Sequence, residues 1–399
     1  MGAIQEVFFR KILDSRGNAT VEVDVIAEDG FGRAAAPSGA STGAHEVAAW
    51  APGGVDESVR LARDVLEEEL LGVDVLLQRE IDDLLENVDG TDNFGKIGGN
   101  LAVATSLAVA RCAAHSLDVP LYAYLGGAFI RKLPRPFGNV LGGGAHAVGG
   151  TDIQEYMSVA LGPTVADSVF ANAFVHKEVK RLLKERFPGQ SLGKGDEGAW
   201  TAPIGNVEAL ELVHGACVKA SDEHGFPVRL ALDVASTELW DGKAYSYKDG
   251  KKTSSDQVEF LADAIKRFDI VSVEDGLAED DWDGWRELTK RVGDRCLLVG
   301  DDLFTTNPER VRKGIETKAG NAVLVKPNQI GTLSRTVETL HLAHDHGFKT
   351  IISHRSGETT DDAIAHIGAA FGCYGIKTGA VGGERTAKLN ELIRIEEEL

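Results

Sequence analysis

The stretch Leu297–Lys326, LLVGDDLFTTNPERVRKGIETKAGNAVLVK, contains the pattern that decides the fold. Two short apolar runs, LLVG and AVLV, each end at a polar residue, and a helix-like segment lies between them. Other apolar runs end in the same way, so the full set of polar ends is Asp233, Glu274, Asp301, Lys326, His354 and Lys377. Successive ends are separated by 23 to 41 residues, the length of one strand, one loop and one helix. The pattern therefore predicts parallel β/α structure.

The continuously apolar character of these runs predicts strands that are buried on both faces, as in a β/α barrel. In such barrels the active site lies at the carboxyl ends of the strands, where the six polar residues would fall. A doubly wound open sheet is the alternative, but no G-x-G-x-x-G motif follows the first strand. We therefore expect an α/β fold with a β/α (TIM-like) barrel in its C-terminal part.

The beginning of the chain predicts a smaller domain of a different kind. Alternation in TVEVDVI, residues 20–26, followed by a turn and FGRAAAP, predicts a β-hairpin. Two helical stretches follow, Val55–Leu70 and Gly99–Ser116, and the second is apolar nearly all round, as a buried helix is. Basic and proline-rich residues 131–136 mark a linker. The sequence thus predicts an N-terminal α+β capping domain over residues 1–130 and a catalytic barrel domain over residues 131–399.

The composition limits the class of protein. The formal net charge is −20, because 62 acidic residues outnumber 42 lysines and arginines. This charge repels nucleic-acid phosphates and anionic membranes, so we expect neither as a partner. Four scattered cysteines and an N-terminus without an apolar signal segment predict a cytoplasmic protein. The surplus charge must lie mostly on the surface, which suggests adaptation to a high-salt cytoplasm; an ordinary acidic enzyme is the alternative.

Three acidic residues end consecutive strands, namely Asp233, Glu274 and Asp301. A buried carboxylate requires a positive partner, because an unpaired buried charge costs several kcal/mol. Any one of these acids alone is best explained by a nearby lysine or arginine. Three in succession favour a metal ion, and oxygen ligands without histidine or cysteine favour magnesium or manganese.

The next strands end in positive residues, and these suit an anionic substrate that bridges the metal and the cations. Lys326 has apolar neighbours and another cation within reach, conditions that depress the pKa of an amine and make it a base. His354 alone is equally consistent with a buried histidine whose hydrogen bonds are satisfied.

Several longer motifs resemble the enolase family. They are LDSRGN, APSGASTG, HAVGGTDIQE, GKGDEG, SVEDGLAEDDW, LVGDDLFTTNP, VKPNQIGTL, SHRSGET and AKLNELIRIEEEL, in order from about Leu13 to Leu399. The resemblance implies a phosphopyruvate hydratase, a lyase of glycolysis and gluconeogenesis that dehydrates 2-phosphoglycerate reversibly to phosphoenolpyruvate. It also implies a homodimer or homo-octamer in the cytoplasm, with an additional secreted or cell-surface presence as a further role.

The resemblance implies a role for each site residue. Lys326 would remove the C2 proton, and Glu197 would protonate the departing C3 hydroxyl, with Glu155 in the same proton network. Asp233, Glu274 and Asp301 would hold one magnesium ion tightly, and Ser41 would bind a second that arrives with the substrate. The substrate would contact Ser41, His146, Glu155, His354, Arg355, Ser356 and Lys377. Arg355 and Ser356 would hold its phosphate, and Lys377 would pair with its carboxylate.

Two other functions compete with this interpretation. The first is a related barrel enzyme that acts on a carboxylate without phosphate, but no K-x-K pair precedes Asp233 and HRSGE is suited to a phosphate. The second is a non-catalytic binding protein on the same scaffold, from which loss of a catalytic residue would be expected.

The glycine-rich segments GGGAHAVGG and SGASTG are assigned as lids only through the resemblance. Three departures from the family pattern, at Ala145, Ala199-Trp200 and AHEVAAWAPGGV, affect the expected lids and the packing behind Glu197.

Overall fold

A computed structural model describes residues 2–39, 43–147 and 149–399. The chain begins with a three-stranded antiparallel sheet in the order β1-β2-β3, with bounds Ile4–Leu13, Ala19–Ala27 and Gly30–Ala35. The predicted hairpin is confirmed as β2 and β3. β1 pairs along the whole of β2, from Ile4 opposite Ala27 to Leu13 opposite Ala19.

Helices follow this sheet in the chain. They are α1 (Val55–Leu61), α2 (Glu67–Leu70), α3 (Gln78–Asp89), α4 (Gly99–Ser116) and α5 (Leu121–Gly126), with a π-helical turn, Ala62–Leu66, between α1 and α2. Both predicted helical stretches are confirmed. α4 is buried along most of its length and packs closely on β3. A Cβ atom at Gly32 would lie 1.9 Å from the Ala108 carbonyl oxygen, so only glycine permits this approach.

Eight strands then close into a barrel, which confirms the predicted fold class. They are β4 (Arg135–Gly142), β5 (Glu155–Ala160), β6 (Val228–Asp233), β7 (Ser272–Glu274), β8 (Leu297–Gly300), β9 (Ala322–Val325), β10 (Lys349–Ser353) and β11 (Gly375–Lys377). Neighbours in the chain pair in order, and β11 pairs with β4 to complete the ring. Four short strands lie outside the ring, at Gly193–Lys194, Trp200–Thr201, Tyr245–Tyr247 and Gly250–Lys252.

The six strands predicted as a parallel repeat, β6 to β11, do pair in parallel, whereas β5, which was not among them, runs antiparallel to both β4 and β6. The connection from β4 to β5 spans residues 143–154, and its described part contains one 3₁₀ turn, Gly144–His146, and no α-helix. A parallel pair requires a longer crossover, usually with a helix, whereas a short connection returns the chain antiparallel.

Helices surround the barrel. They are α6 (Val165–Arg186), α7 (Asn206–His224), α8 (Ser254–Phe268), α9 (Trp282–Val292), α10 (Pro308–Thr317), α11 (Leu333–Asp345), α12 (Ala363–Ala370) and α13 (Gly383–Glu398). Local sequence sets their starts: Thr253 and Asp256 form a capping box before α8, and Asn307 caps α10, whose first residue is Pro308.

Apolar side chains fill the barrel interior, including Phe137, Met157, Val159, Leu324 and Ile351. The larger apolar core lies between the strands and the surrounding helices. The apolar interior therefore separates the two ends of the barrel. Within the described residues, the helices are all too short or too polar to cross a membrane.

Candidate active site

The six polar residues predicted to end strands all lie at the same mouth of the barrel. Asp233, Glu274 and Lys377 are the last residues of β6, β7 and β11, and Asp301, Lys326 and His354 directly follow β8, β9 and β10. The reversal of β5 adds a seventh residue, because the first residue of an antiparallel strand lies at this mouth too. Glu155 is that residue, and it stands opposite Asp233 in the sheet register.

Lys377 is the counter-ion of three carboxylates. Its Nζ lies 2.9 Å from Asp233 Oδ2, 2.8 Å from both carboxylate oxygens of Glu274 and 3.3 Å from Glu155 Oε1. Burial opposes its charge, but attraction to these acids raises the pKa of Lys377 well above the usual lysine value. Lys377 is therefore a fixed positive charge at the centre of the mouth.

Lys326 forms an ion pair with Asp301 Oδ2. Burial lowers the pKa of Lys326, as the sequence predicted, but the attraction of Asp301 and Glu274 together outweighs burial and raises the pKa above the usual value. The prediction of a depressed pKa is therefore wrong for this arrangement, because it counted the neighbouring cations and omitted the acid at the end of the adjacent strand. Lys326 can act as a base only after Asp301 has released it.

Three side chains, His146, Glu155 and Glu197, have donor or acceptor atoms within 4.8 Å of one another. Burial and repulsion from Glu197 raise the pKa of Glu155 well above its usual range. Burial acts in the same direction on Glu197, but its neighbours His354, His146 and Arg385 together outweigh burial and lower the pKa of Glu197. The pKa values of these two adjacent carboxyl groups are therefore shifted in opposite directions.

His354 is fully enclosed beside this pair, with Nε2 3.4 Å from Glu197 Oε2. Burial lowers its pKa to about 4, against the attraction of Glu197. The imidazole is therefore neutral near pH 7, so it is not a cation that could bind an anionic substrate by charge.

Arg355 and Ser356 lie on the loop after β10, and both already have partners. The Arg355 guanidinium binds the Glu46 carboxylate with two contacts of 3.0 and 3.1 Å and donates to Asn328 Oδ1 at 2.9 Å. Ser356 Oγ lies 3.2 Å from His146 Nε2. The N-terminal part of the chain thus supplies a carboxylate to the arginine that was predicted to bind phosphate.

The predicted metal ligands Asp233, Glu274 and Asp301 lie at one mouth, but lysines separate them. Lys377 bridges Asp233 and Glu274, whereas Lys326 holds Asp301. A different group of acids lies close together at this mouth. Among the described residues, oxygens within 4.8 Å of one another come from Asp275, Asp301 and Asp302.

The donor set nevertheless fits a divalent cation. Five carboxyl groups, those of Glu155, Glu197, Asp233, Glu274 and Asp301, stand against the two lysines, and burial and mutual repulsion raise the pKa of Glu155 and Glu274 well above the usual range. Two buried oxygens at the mouth, Gln154 Oε1 and Glu155 Oε2, have no hydrogen-bond partner in the described part of the chain. Oxygen ligands are what a hard cation such as magnesium prefers.

Sequence reasoning missed several residues that hold the site together. Asn139 donates to Glu197 at 3.1 Å, Gln329 donates to Asp301 at 2.9 Å, and Arg385 contacts His354 at 2.6 Å. Gln329 lies within the motif VKPNQIGTL, and Arg385 lies two residues before the motif AKLNELIRIEEEL. Both motifs were quoted for the resemblance, so the position of these residues in or near them was the signal that could have identified them. Ser41, the predicted ligand of a second magnesium ion, lies outside the described residues.

A barrel mouth with adjacent buried carboxyl groups, opposed lysines and an oxygen-rich donor set is typical of barrel enzymes that move protons on an anionic substrate with the help of a metal ion. The sequence matches two family models, described as "Enolase, N-terminal domain" over residues 4–125 and "Enolase, C-terminal TIM barrel domain" over residues 130–399. The chain belongs to the enolase family.

Curated relatives agree over the full length of the chain. The enolase of Methanothermobacter thermautotrophicus is 50% identical, over 99% of this chain and 97% of its own length. The enolase of Methanocorpusculum labreanum is 52% identical over 100% of both chains. The enolase of Natronomonas pharaonis is 52% identical over 99% of both.

Proposed function

We propose that this chain catalyses the reversible dehydration of 2-phospho-D-glycerate to phosphoenolpyruvate, a step of glycolysis and gluconeogenesis. One observation carries the proposal: Lys326 and the carboxyl pair Glu155 and Glu197 line one cavity at the barrel mouth. The reaction removes a proton from C2 and adds one to the hydroxyl on C3, so it requires a base and an acid on the same small molecule. The full-length similarity to proteins named enolase supports the assignment.

The proposed base is Lys326. Its Nζ takes the C2 proton, and the electron pair of the broken C–H bond moves into the substrate carboxylate. This requires a neutral amine, and the ion pair with Asp301 favours the charged form. Recruitment of Asp301 to another cation removes the contact that holds the proton on Lys326.

The proposed acid is Glu197. When the C3–O bond breaks, the electron pair returns from the carboxylate to form the C2–C3 double bond, and the hydroxyl takes a proton and leaves as water. We assign that proton to the carboxyl pair: the raised pKa of Glu155 favours its protonated form, and the proton passes through Glu197 to the hydroxyl as the C3–O bond breaks. After transfer Glu197 is a carboxylate, the form that His354 and His146 already stabilise.

The proposed magnesium ligands are Asp233, Glu274 and Asp301, with Ser41 as a ligand of a second ion that arrives with the substrate. Magnesium bound there would stabilise the negative charge that develops on the substrate carboxylate as C2 loses its proton. The surplus of carboxyl groups over lysines at the mouth supports this assignment.

The remaining residues are proposed to orient the substrate. Arg355 offers a planar pair of donors to the phosphate, and Ser356 adds a hydroxyl. Lys377 provides a fixed positive charge for the substrate carboxylate. His146, on the loop after β4, lies 3.2 Å from Ser356 Oγ through its Nε2 and 3.7 Å from Glu155 Oε1 through its Nδ1. His354 presents its Nε2 to Glu197 Oε2 at 3.4 Å.

We also propose residues 1–130 as a capping domain and residues 131–399 as the catalytic domain. The contact of Glu46 with Arg355 and the bridge between Ser38 and Gly357 support a cap over the mouth. By the same resemblance we propose a homodimer or homo-octamer in the cytoplasm, with a secreted or cell-surface presence as an additional role. The net charge of −20 disfavours nucleic-acid and anionic membrane partners.

The test is the formation of phosphoenolpyruvate from 2-phosphoglycerate, followed by ultraviolet absorbance with the purified chain and magnesium. A phosphonate analogue of the substrate should inhibit competitively. The corresponding hydroxy acid without phosphate serves as the control substrate and should not react. Absence of phosphoenolpyruvate, or comparable turnover of the unphosphorylated acid, would refute the proposal.

A further inference from the structure

The guanidinium of Arg385, in the first turn of α13, connects two parts of the mouth from behind. The side chain is fully buried. Nη1 donates to His354 Nδ1 at 2.6 Å and to the Arg355 carbonyl at 2.7 Å, while Nη2 donates to the Ser356 carbonyl at 2.7 Å and the Asp196 carbonyl at 3.3 Å. One residue thus joins the loop after β10 to the loop that carries Glu197.

The backbone before α13 makes room for this side chain. A Cβ atom at Gly382 would lie 3.0 Å from Arg385 Cγ, and its φ of 131° is one that residues with side chains rarely adopt. The position of Arg385 is therefore set by the turn that precedes the helix.

The contact with His354 determines where the imidazole carries its proton. Arginine has donors and no acceptor, so a ring nitrogen that bonds to it must use its lone pair. Nδ1 of His354 is therefore unprotonated, and the proton of the neutral ring lies on Nε2. In the described part of the chain Nε2 has no hydrogen-bond partner, and it faces Glu197 Oε2 at 3.4 Å.

We propose that Arg385 is a positioning residue that fixes His354 as the Nε2–H tautomer, so that His354 presents a hydrogen-bond donor to Glu197. The opposite tautomer would direct a lone pair at the carboxylate, which repels it. A donor strengthens its interaction as Glu197 gives up its proton and becomes fully charged, so it favours proton transfer to the leaving hydroxyl. This role rests on the proposed function, but the tautomer itself can be measured without turnover.

The variants separate this role from simple support of α13. Arg385→Met removes the donor, whereas Arg385→Lys retains one. Lys388→Gln is the matched control: Lys388 lies in the same helix and is also buried, and it pairs with Glu358 at 2.7 Å and donates to the Thr359 and Glu384 carbonyls, partners that do not include His354.

The first measurement is nitrogen-15 NMR of histidine-labelled protein, with His354 assigned through His354→Gln. We expect a pyridine-type Nδ1 and a pyrrole-type Nε2 for His354 in the unsubstituted protein, in Arg385→Lys and in Lys388→Gln. Arg385→Met should give a mixture of tautomers. A protonated Nδ1 of His354 in the unsubstituted protein would overturn the proposal. An unchanged nitrogen-15 spectrum of His354 in a folded Arg385→Met would overturn it too. If Arg385→Met does not fold, the spectra of the other proteins still decide the proposal.

The second measurement compares exchange of the C2 proton with formation of phosphoenolpyruvate. In Arg385→Met exchange should persist, while product formation should fall by about 10- to 100-fold, the usual cost of losing a partner that orients a functional histidine. If Arg385→Met lowered both rates equally, and to the same extent as Lys388→Gln, Arg385 would serve only to support the structure. Absence of both rates in the unsubstituted protein would refute the proposed function, while the NMR signature would still decide the tautomer.

Discussion

Lys377→Met should destabilise the fold strongly, because it removes the counter-ion of three buried carboxylates. Lys377 is 4% exposed and its Nζ lies within 3.3 Å of Asp233, Glu274 and Glu155. Removal of one partner from a buried ion pair costs about 3–5 kcal/mol, since the remaining charge stays buried and unpaired.

That cost corresponds to a measurable change in melting temperature. With an unfolding entropy of about 2.1 cal/mol/K per residue, a chain of 399 residues should melt about 4–6 °C lower after this substitution. The assay is thermal unfolding by circular dichroism in a buffer with a chelator, so that no divalent cation replaces the lost charge.

Lys219→Met is the control, because Lys219 is 49% exposed and its partner Glu178, at 2.9 Å, keeps its ion pair with Arg181 after the substitution. A pair of this kind contributes about 0–1 kcal/mol, so the control should melt within about 1 °C of the unsubstituted protein. If Lys377→Met melts as high as the control, the carboxylates at the mouth are held by protons and Lys377 is not their counter-ion.

Four further outcomes are expected. Lys326→Ala should lower both C2 exchange and turnover by about 10²–10⁴-fold, since it removes the base; retained exchange would contradict the assignment. Glu197→Gln should retain C2 exchange and lose phosphoenolpyruvate formation, because it removes only the acid; parallel loss of both, with magnesium affinity unchanged, would assign Glu197 another role. Asp301→Asn should raise the magnesium concentration needed for half-maximal turnover, because an amide is a weaker ligand than a carboxylate; full activity of the unsubstituted protein after exhaustive chelation would refute a metal requirement. Finally, the melting temperature should rise when potassium chloride is increased from a low to a molar concentration. Salt shortens the range of repulsion among the 20 surplus negative charges from roughly 30 Å at 0.01 M to roughly 3 Å at 1 M. A melting temperature that does not depend on salt would argue against salt adaptation.

The barrel and its polar mouth were predictable because both depend on local sequence. A buried parallel strand must be apolar, and the first polar residue after it marks its carboxyl end, so Asp233, Glu274 and Lys377 could be placed without a structure. The reversal of β5 was not predictable from the strand itself, since its residues are buried in either direction. Its signal was the connection before it, which is too short for a crossover.

Partners that are distant in the chain could not be predicted in the same way. Glu46 meets Arg355 across 309 residues, and Lys326 meets Asp301 only because β8 and β9 are neighbours in the barrel. The sign of the Lys326 pKa shift depends on that second contact. The residue types identify which ionisable groups a site contains. The charge of each group depends on which other groups it contacts.

The carboxylate of Glu46 already binds Arg355, the arginine that is proposed to bind the substrate phosphate. Because it belongs to the same chain, it competes at an effective concentration on the millimolar scale or above, and it never diffuses away. A free phosphate ion gains only the contacts that Glu46 gives up, whereas a substrate that also reaches Lys377 gains a second attachment. If Arg355 binds the substrate phosphate, the Glu46 carboxylate therefore competes with any anion that is held by Arg355 alone. The tolerance of the enzyme to inorganic phosphate should be set by Glu46 as much as by Arg355.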